Sequence, residues 1–304
     1  MTRPQANASG PNASSELIAG VAIHRAAKVW WPDDGITKGD VARYYHRIAR
    51  YILPWMADRP LVAERCPDGM LGTCFVQKNF PGELPADVPR VPIVAQSTGR
   101  TVDYVVGGAE DTLLSLVDLG CIAVHVMNSR RRTLQHPDWL AFDLDPGSGE
   151  FRDAANAGRH LKRILDSLAL RSYPKTSGAR GLHVLVPLHH DAGQDEVREF
   201  AQAVGRMLAQ QAPDLVTVET RKQQRADRVF ADAQRNAFGQ TIAAPYSVRR
   251  RPKAAVSTPL DWDEVSPLLD PASFNLKTME RRLAAHDPWR HFWERTQVLP
   301  KMAG

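Results

Sequence analysis

The sequence has few cysteines and no long apolar run, and each absence excludes a class of protein. Its 304 residues include three cysteines, an odd number without zinc-finger spacing and far below the density of a disulfide-stapled domain. No segment approaches the roughly 18 to 20 apolar residues that cross a bilayer, and the N-terminus lacks the apolar core of a signal peptide. We therefore expect a cytosolic protein that is neither membrane-bound nor exported.

The composition describes a packed protein. Hydrophobic residues make up 43% of the chain, more than a disordered sequence contains. A chain of this length buries roughly three quarters of its extended surface, enough for one large domain or two closely packed lobes. Residues 1–15 are rich in Asn, Ala, Ser and Pro without an apolar period. We expect a flexible tail over 1–15 and a single domain over 16–304.

Positive charge is in slight excess and is concentrated in a few places. The net charge is +5, a mild argument for a polyanionic partner. Arginine runs occupy 130–132 and 249–251, and a looser basic run lies in 221–228. Any one run alone is typical of a solvated surface.

The apolar pattern alternates between strand-like and helix-like segments. Strands are predicted at 17–23, 61–65, 73–77, 93–97, 101–106, 121–127, 139–144, 181–188, 215–219, 228–232 and 241–244. Helices are predicted at 41–53, 111–119, 152–168, 195–211, 261–269 and 276–286, the first with Asp40 as N-cap and Pro54 as its stop. This mixed order predicts an α+β fold with largely antiparallel sheets.

Two aspartates two residues apart carry the first chemical signal. Asp143 and Asp145 flank Leu144 at the end of a predicted strand. Residues i and i+2 of a strand share one face, with Cα atoms roughly 7 Å apart, so Leu144 should enter the core while both carboxylates point to one place. Hard carboxylates suit Mg²⁺ or Mn²⁺. The alternative is that the aspartates cap the turn that follows.

A basic loop of small residues follows. Residues 175–183 read Lys-Thr-Ser-Gly-Ala-Arg-Gly-Leu-His; glycines let backbone amides approach a polyphosphate, and Ser177 and His183 add side-chain donors. The spacing is not that of a Walker loop, and a tight hairpin with a buried histidine is the alternative. A third acid, Asp232, ends a later strand and precedes Arg235, with Arg249 further on. Together these groups describe nucleotidyl transfer.

The motifs resemble those of a known family. Residues 21–289 are similar to the polymerase domain of bacterial ligase D and its stand-alone relatives, in the archaeo-eukaryotic primase superfamily. The similarity is collinear, and its motifs are 28–32, Lys38-Gly39-Asp40 with Tyr44-Tyr45, Arg59-Pro60, Asp143-Leu144-Asp145-Pro146-Gly147, 177–183 and Ala244-Pro245-Tyr246-Ser247-Val248-Arg249. The resemblance implies two closely packed antiparallel sheets flanked by helices, in a bacterial protein of the cytosol or nucleoid.

The resemblance also implies a role for each candidate residue. Asp143, Asp145 and Asp232 match the family's triad for two Mn²⁺ or Mg²⁺ ions, with Asp232 completing the ion that activates the primer 3′-hydroxyl. Further residues match positions around the incoming nucleotide: Ser177, His183, Arg249, Arg235, His125 and Lys175. The settings of Asp232 and His125 depart from the usual family pattern, since neither has its customary aromatic neighbour.

Two more features match the family's DNA contacts. Lys28 and Lys38 match a pair that binds the 5′-phosphate on the downstream strand of a gap or break. Phe75 falls where the family places an aromatic that stacks on template DNA. Cys74 replaces a second aromatic often found there, so we expect a different stacking arrangement. Ordinary surface lysines and a core phenylalanine are the alternatives for these positions.

The sequence therefore predicts a template-directed polymerase of DNA repair. The resemblance implies filling of short gaps or extension of broken double-stranded DNA with a 5′-phosphate, a preference for NTPs over dNTPs, and activity with Mn²⁺. With 304 residues, we expect a monomer that leaves ligation and nuclease steps to separate proteins. Two alternatives stay open: a non-catalytic module that binds DNA ends or gaps, and a glycosyltransferase-like enzyme that uses Asp-x-Asp to hold a nucleotide sugar.

Overall fold

The computed structural model describes residues 15–95 and 98–301. The predicted tail lies outside the described residues except for residue 15, as do the last two residues of the predicted strand 93–97. Among the described residues, no helix is both long and apolar enough to span a bilayer.

The described chain forms fifteen strands and six α-helices. The strands are β1 (Glu16–Ile18), β2 (Val21–Ile23), β3 (Val29–Trp31), β4 (Ile36–Thr37), β5 (Leu61–Arg65), β6 (Phe75–Gln77), β7 (Arg90–Val94), β8 (Thr101–Val105), β9 (Cys121–Val126), β10 (Trp139–Pro146), β11 (Tyr173–Thr176), β12 (Leu182–Pro187), β13 (Val216–Thr217), β14 (Val229–Asp232) and β15 (Ile242–Ala243). The helices are α1 (Lys38–Arg47), α2 (Ala49–Met56), α3 (Glu110–Asp118), α4 (Phe151–Ser167), α5 (Gln194–Gln211) and α6 (Met279–Ala285).

Two sheets make up the body of the fold. The larger has the order β11-β12-β10-β14-β13, and the smaller has the order β15-β9-β5-β6. Every neighbouring pair is antiparallel except β13 with β14. Three two-stranded hairpins pair β1 with β2, β3 with β4, and β7 with β8. The predicted α+β fold with largely antiparallel sheets is therefore confirmed.

Strand β10 separates the two larger of the three apolar cores among the described residues. Leu140 and Leu144 point into the core that includes residues of α4 and α5. Trp139 and Ala141, on the opposite face, belong to the core shared with β5 and β9. Because side chains alternate along a strand, Asp143 lies on the face that looks toward the smaller sheet. Leu144 is fully buried, as predicted.

The first predicted helix is interrupted, and both of its predicted boundaries are wrong. Thr37 is the N-cap of α1, and Asp40 is the third helical residue of a capping box: the Asp40 amide donates to Thr37 Oγ1, and Asp40 Oδ2 accepts from the Thr37 amide. Pro54 lies inside α2 and does not end it. Pro54 is the sixth of the eight residues of α2, so the helix continues past it without the backbone hydrogen bond that another residue would donate there.

Other differences concern short segments. The predicted strand 17–23 is a hairpin, turned at Ala19 and Gly20 with positive φ at both. The predicted helix 261–269 is reduced to a 3₁₀ turn at Trp262–Glu264. Strands β3, β4 and β11 were not predicted. Short segments carry too few periods for the apolar pattern to distinguish them from loops.

A disulfide joins Cys66 to Cys74, which the low and odd cysteine count did not predict. The two Cα atoms lie 4.4 Å apart across the turn between β5 and β6. Cys121 is a buried free thiol. The disulfide closes a nine-residue segment that ends next to Phe75.

Candidate active site

The register of the larger sheet brings the candidate residues together. Asp143 on β10 lies opposite His183 on β12 and opposite Asp232 on β14. Directly opposed residues of antiparallel strands have their side chains on the same face. Asp145 lies two residues further along β10 and so shares that face. The sheet therefore sets three carboxylates and a histidine side by side.

A polar cavity of about 240 Å³ opens between the two sheets at this point. The smaller sheet contributes His125 from β9 and Ile242 and Ala243 from β15. The predicted nucleotide and metal residues that line it are Asp143, Asp145, Ser177, His183, Arg235, Arg249 and His125. Arg180 and Arg251 also line it. Positive charge faces the cavity from several sides, which suits a polyphosphate.

The loop between β11 and β12 forms one wall of the cavity. Ser177 Oγ accepts hydrogen bonds from the amides of Ala179 (3.2 Å) and Gly181 (3.1 Å), which leaves the hydroxyl hydrogen free to donate. Arg249 Nη1 donates to the Ser177 carbonyl oxygen at 2.7 Å. This arrangement ties the arginine to the loop and resembles the predicted anion cradle.

A chain of hydrogen bonds runs from the interior to Asp143. Lys175 Nζ donates to Ser257 Oγ (2.5 Å) and contacts His183 Nδ1 (2.7 Å), and His183 Nε2 lies 3.3 Å from Asp143 Oδ1. Because the ionised Asp143 carboxylate only accepts hydrogen bonds, the ring proton sits on Nε2, directed at Asp143, and Nδ1 of the neutral ring accepts from Lys175. Burial lowers the pKa of His183 to about 4.

Lys175 lies behind the cavity wall and does not line the cavity. Its side chain has no exposed surface, and burial lowers its pKa well below the ordinary lysine value. Its contact with His183 makes it a residue that orients the histidine. The sequence pattern placed Lys175 beside the incoming nucleotide. The residue does lie next to the cavity, but the pattern gave no information about the direction of its side chain.

The three carboxylates differ in their electrostatic surroundings. Burial opposes ionisation of Asp143, but His183 and Arg235 outweigh it and hold its pKa below the ordinary value. Burial raises the pKa of Asp145, and the neighbouring charge of Asp143 adds to this. Burial also raises the pKa of Asp232, although Arg235 opposes the shift. The surroundings thus favour the ionised form of Asp143 and oppose ionisation of Asp145 and Asp232.

Arg235 lies between two of the three acids. Its Nε atom is 3.1 Å from Asp143 Oδ2 and 3.2 Å from Asp232 Oδ2. Asp232 itself lines a neighbouring cavity of about 270 Å³ together with Arg206 and Thr220. In the described part of the chain, no three His, Cys, Asp or Glu side chains converge closely enough to hold a metal ion.

The donor set still fits hard divalent cations. Three carboxylates on adjacent strands of one sheet offer the oxygen ligands that Mg²⁺ and Mn²⁺ prefer. Asp143, Asp145 and Asp232 would hold such ions. The structure thus brings the three predicted acids onto one face, with an arginine bound between two of them.

A third cavity contains the predicted phosphate-binding lysines. It measures about 290 Å³, and both Lys28 and Lys38 line it. Lys28 Nζ donates to Asp68 Oδ1 (2.6 Å) and to the Pro67 carbonyl oxygen (2.8 Å). Lys38 Nζ donates to Asp118 Oδ1 (2.6 Å), among other acceptors. The two ammonium groups therefore face one cavity, each with an acidic partner that the sequence did not reveal.

Phe75 lies on the surface, as template stacking would require. It begins the edge strand β6, and 44% of its surface is exposed, which excludes the alternative of a core phenylalanine. The Arg65 guanidinium lies 5.4 Å from its ring centroid. Cys74, in the place of a second aromatic, forms the disulfide.

Acidic side chains on paired strands, next to a cavity lined with arginines and a glycine-containing loop, are typical of a nucleotidyltransferase. The family model for the LigD primase-polymerase domain matches residues 37–289. The chain belongs to this family, as the sequence motifs indicated.

Individual relatives agree with this assignment. The chain is 33% identical over 285 residues to the multifunctional non-homologous end joining protein LigD of Pseudomonas aeruginosa, covering 92% of the chain and 34% of that protein. It is 32% identical over 274 residues to the bifunctional LigD of Bacillus subtilis, covering 88% of the chain and 43% of that protein. The chain thus spans less than half the length of either relative.

A solved structure confirms the fold. The polymerase domain of Mycobacterium tuberculosis ligase D, in complex with DNA, superimposes with a TM-score of 0.83 at 28% identity. The match covers 91% of this chain and 99% of that domain. The predicted family and fold class are therefore confirmed together.

Proposed function

We propose that this chain is a single-domain, template-directed polymerase that fills short gaps or extends broken DNA ends during repair. The observation that carries the proposal is the cavity of about 240 Å³ that gathers Asp143, Asp145, Ser177, His183 and Arg249 between the two sheets. Membership of the LigD primase-polymerase family supports the reaction class. The names of the relatives support end joining, while the same site chemistry also suits gap filling in excision repair.

The residues around the cavity divide the work of nucleotidyl transfer. Ser177 and Arg249 face the incoming triphosphate, the first with a free hydroxyl hydrogen and the second with a guanidinium. His183 keeps Asp143 oriented and ionised through its Nε2 proton. Two divalent ions bound by the acids would activate the 3′-hydroxyl and neutralise charge on the phosphates. The family resemblance supports Mn²⁺ as an effective ion and ribonucleotides as the preferred substrate.

Lys28 and Lys38 form a pocket for a 5′-phosphate on the downstream strand. Both line one cavity, and a phosphate dianion offers the same charge-assisted hydrogen bonds that Asp68 and Asp118 provide in the protein alone. Asp68 is largely exposed, so a phosphate can replace it at little cost. Asp118 is mostly buried and remains to hold Lys38 in place.

The carboxylates are tested by a double substitution. Asp143→Ala with Asp145→Ala should reduce primer extension on a gapped duplex roughly a thousandfold or more, since the charge that holds the metal ions is lost. Gel-based extension with Mg²⁺ or Mn²⁺, and with NTPs or dNTPs, measures this. The matched control is Asp166→Ala with Asp195→Ala, two exposed acids that do not line the cavity.

Retained extension in the Asp143/Asp145 variant would remove the metal assignment. DNA binding without extension by the unaltered protein, under every metal and nucleotide condition, would favour a non-catalytic module that binds DNA ends. Turnover of a nucleotide sugar without DNA would favour the glycosyltransferase alternative.

The phosphate pocket is tested by Lys28→Gln. The unaltered protein should bind a gapped duplex with a downstream 5′-phosphate more tightly than one without it. In the variant, the ratio of these two affinities should be about tenfold smaller. Fluorescence anisotropy with both duplexes measures the ratio. Lys162→Gln is the matched control, because Lys162 also forms an ion pair at 2.6 Å, with Asp166. Equal binding of both duplexes by the unaltered protein would contradict the assignment.

A further inference from the structure

Arg235 occupies a position that the polymerase reaction does not by itself explain. We propose that Arg235 is an internal counter-cation of the acidic cluster, which competes with divalent metal ions for Asp143 and Asp232 and thereby sets the metal affinity of the site. This inference rests on the proposed function, because it takes the acids to be metal ligands. It assigns Arg235 a role beyond that of contacting the incoming nucleotide.

The contacts of Arg235 are shared between two acids. Its Nε atom lies within hydrogen-bond distance of Oδ2 on both Asp143 and Asp232. These two residues are directly opposed in the register of β10 and β14, so their negative charges are forced together by the sheet. Because strand pairing fixes both residues, the two carboxylates cannot move apart. A cation placed between them offsets their electrostatic repulsion.

The backbone that carries Arg235 is fixed against β10. Arg235 belongs to a short 3₁₀ turn, Ala233–Asn236, that follows β14 directly. The buried Asn236 side chain accepts from the Ala141 amide (2.8 Å) and donates to the Ala141 carbonyl oxygen (2.7 Å). These bonds set the start of the Arg235 side chain beside the acids. Its position therefore follows from the sheet and not from a freely moving loop.

The guanidinium and a metal ion would use the same oxygen atoms. The Arg235 Nε–H donates to Asp143 Oδ2 and forms an ion pair with Asp232 Oδ2, so the guanidinium occupies the space from which a cation would approach these two oxygens. Consistently, the described residues contain no converged group of three acidic, histidine or cysteine ligands. A metal ion that binds Asp232 Oδ2 therefore competes with Arg235 for that oxygen.

Displacement is sterically open. The Arg235 side chain is 39% exposed and lines the cavity that would hold the triphosphate. A guanidinium that leaves the acids can therefore turn toward the phosphates without disturbing the core. The same arginine would neutralise the acids before the metal binds and face the nucleotide afterwards.

The test measures binding of Mn²⁺ alone, without nucleotide or DNA, by isothermal titration calorimetry and by the electron paramagnetic resonance signal of free Mn²⁺. Arg235→Gln should bind Mn²⁺ at least about tenfold more tightly than the unaltered protein, because it loses the charge-assisted hydrogen bond to Asp143 and the ion pair with Asp232. Arg180→Gln is the control. Arg180 lines the same cavity and forms no ion pair with any described residue, so its variant should change the affinity less than about threefold.

Each outcome has a distinct meaning. If Arg235→Gln binds Mn²⁺ as tightly as the unaltered protein or more weakly, Arg235 does not compete with the metal ion. If Arg180→Gln gains as much Mn²⁺ affinity as Arg235→Gln, the gain is a general effect of removing positive charge, and the inference is overturned. If neither the unaltered protein nor Arg235→Gln binds Mn²⁺, the proposed metal site itself fails. Should Arg235→Gln not fold, Arg235→Lys retains the charge but lacks the Nε donor; tighter binding by this variant supports the inference, and equal or weaker binding overturns it.

Discussion

Gly178 shows how a single missing side chain can determine the shape of the site. It has a φ of 70°, and a Cβ atom there would lie 2.5 Å from Arg249 Cγ and 2.8 Å from the Ser257 amide nitrogen. Gly178→Ala should therefore move Arg249 away from the cavity. We expect nucleotide affinity to fall about tenfold, measured by titration with a fluorescent triphosphate in the presence of Mn²⁺.

The control for this prediction separates steric conflict from backbone strain. Gly82 has a nearly identical φ of 71°, and a Cβ atom there would meet nothing within 4 Å. Gly82→Ala should lose about 1 kcal/mol of unfolding free energy and keep its nucleotide affinity. Unchanged affinity in Gly178→Ala would show that Arg249 does not bind the triphosphate.

At the scale of single residues, the sequence predicted which residues belong to the site better than it predicted their contacts. Asp143, Ser177 and His183 were found from local motifs, and all three line the cavity. The partners that decide their behaviour are distant in the chain: Ser257 lies 82 residues from Lys175, and Arg235 lies 92 residues from Asp143. Local spacing contains no information about such contacts, because they depend on how strands pair.

The turn between β5 and β6 is closed by a disulfide bond. The disulfide from Cys66 to Cys74 spans a sequence separation of eight. Closing a loop of this length should contribute about 2 to 3 kcal/mol through the entropy of the unfolded chain. Treatment with dithiothreitol should therefore lower the melting temperature, measured by circular dichroism.

A double substitution provides the comparison for the reduced protein. Cys66→Ser with Cys74→Ser should melt at the lower temperature whether or not dithiothreitol is present, because its remaining thiol, Cys121, is buried and unpaired. Mass spectrometry after alkylation counts the free thiols in each sample. An identical melting temperature for oxidised and reduced unaltered protein would show that the turn is held by its other contacts.

Long elements were predictable and short ones were not. The structure places α4 and α5 within one residue of the predicted ends, because 17 and 18 residues carry several periods of the apolar pattern. Strand β10 was also found, although it extends two residues further than predicted. Strands β3 and β4 have three and two residues and pair with each other, and such short segments carry too little of the apolar pattern to be recognised.

A buried ion pair connects the two sheets. Arg59, just before β5, has no exposed surface, and its Nη2 atom donates to both carboxylate oxygens of Asp138, just before β10, at 2.6 Å. Arg59→Met would leave a buried carboxylate with a single remaining partner, Arg130. We expect the free energy of unfolding to fall by about 3 kcal/mol, measured by urea denaturation.

An exposed arginine supplies the control for this experiment. Arg163→Met removes the same charge from the outer face of α4 and should change the unfolding free energy by less than about 0.5 kcal/mol. A loss of less than 1 kcal/mol in Arg59→Met would contradict the view that this pair ties the sheets together.

The sequence by itself determined the fold class, the family and the types of the candidate site residues, because these depend on local periodicity and on motifs in a fixed order. Tertiary structure decided the rest. The pairing of β14 with β10 places Asp232 beside Asp143 and so creates the position that Arg235 fills. Folding also turned Lys175 away from the cavity, paired Lys28 and Lys38 with acids, and joined Cys66 to Cys74. Each of these contacts links residues whose separation in the chain carries no signal, so strand register and close packing alone determine them.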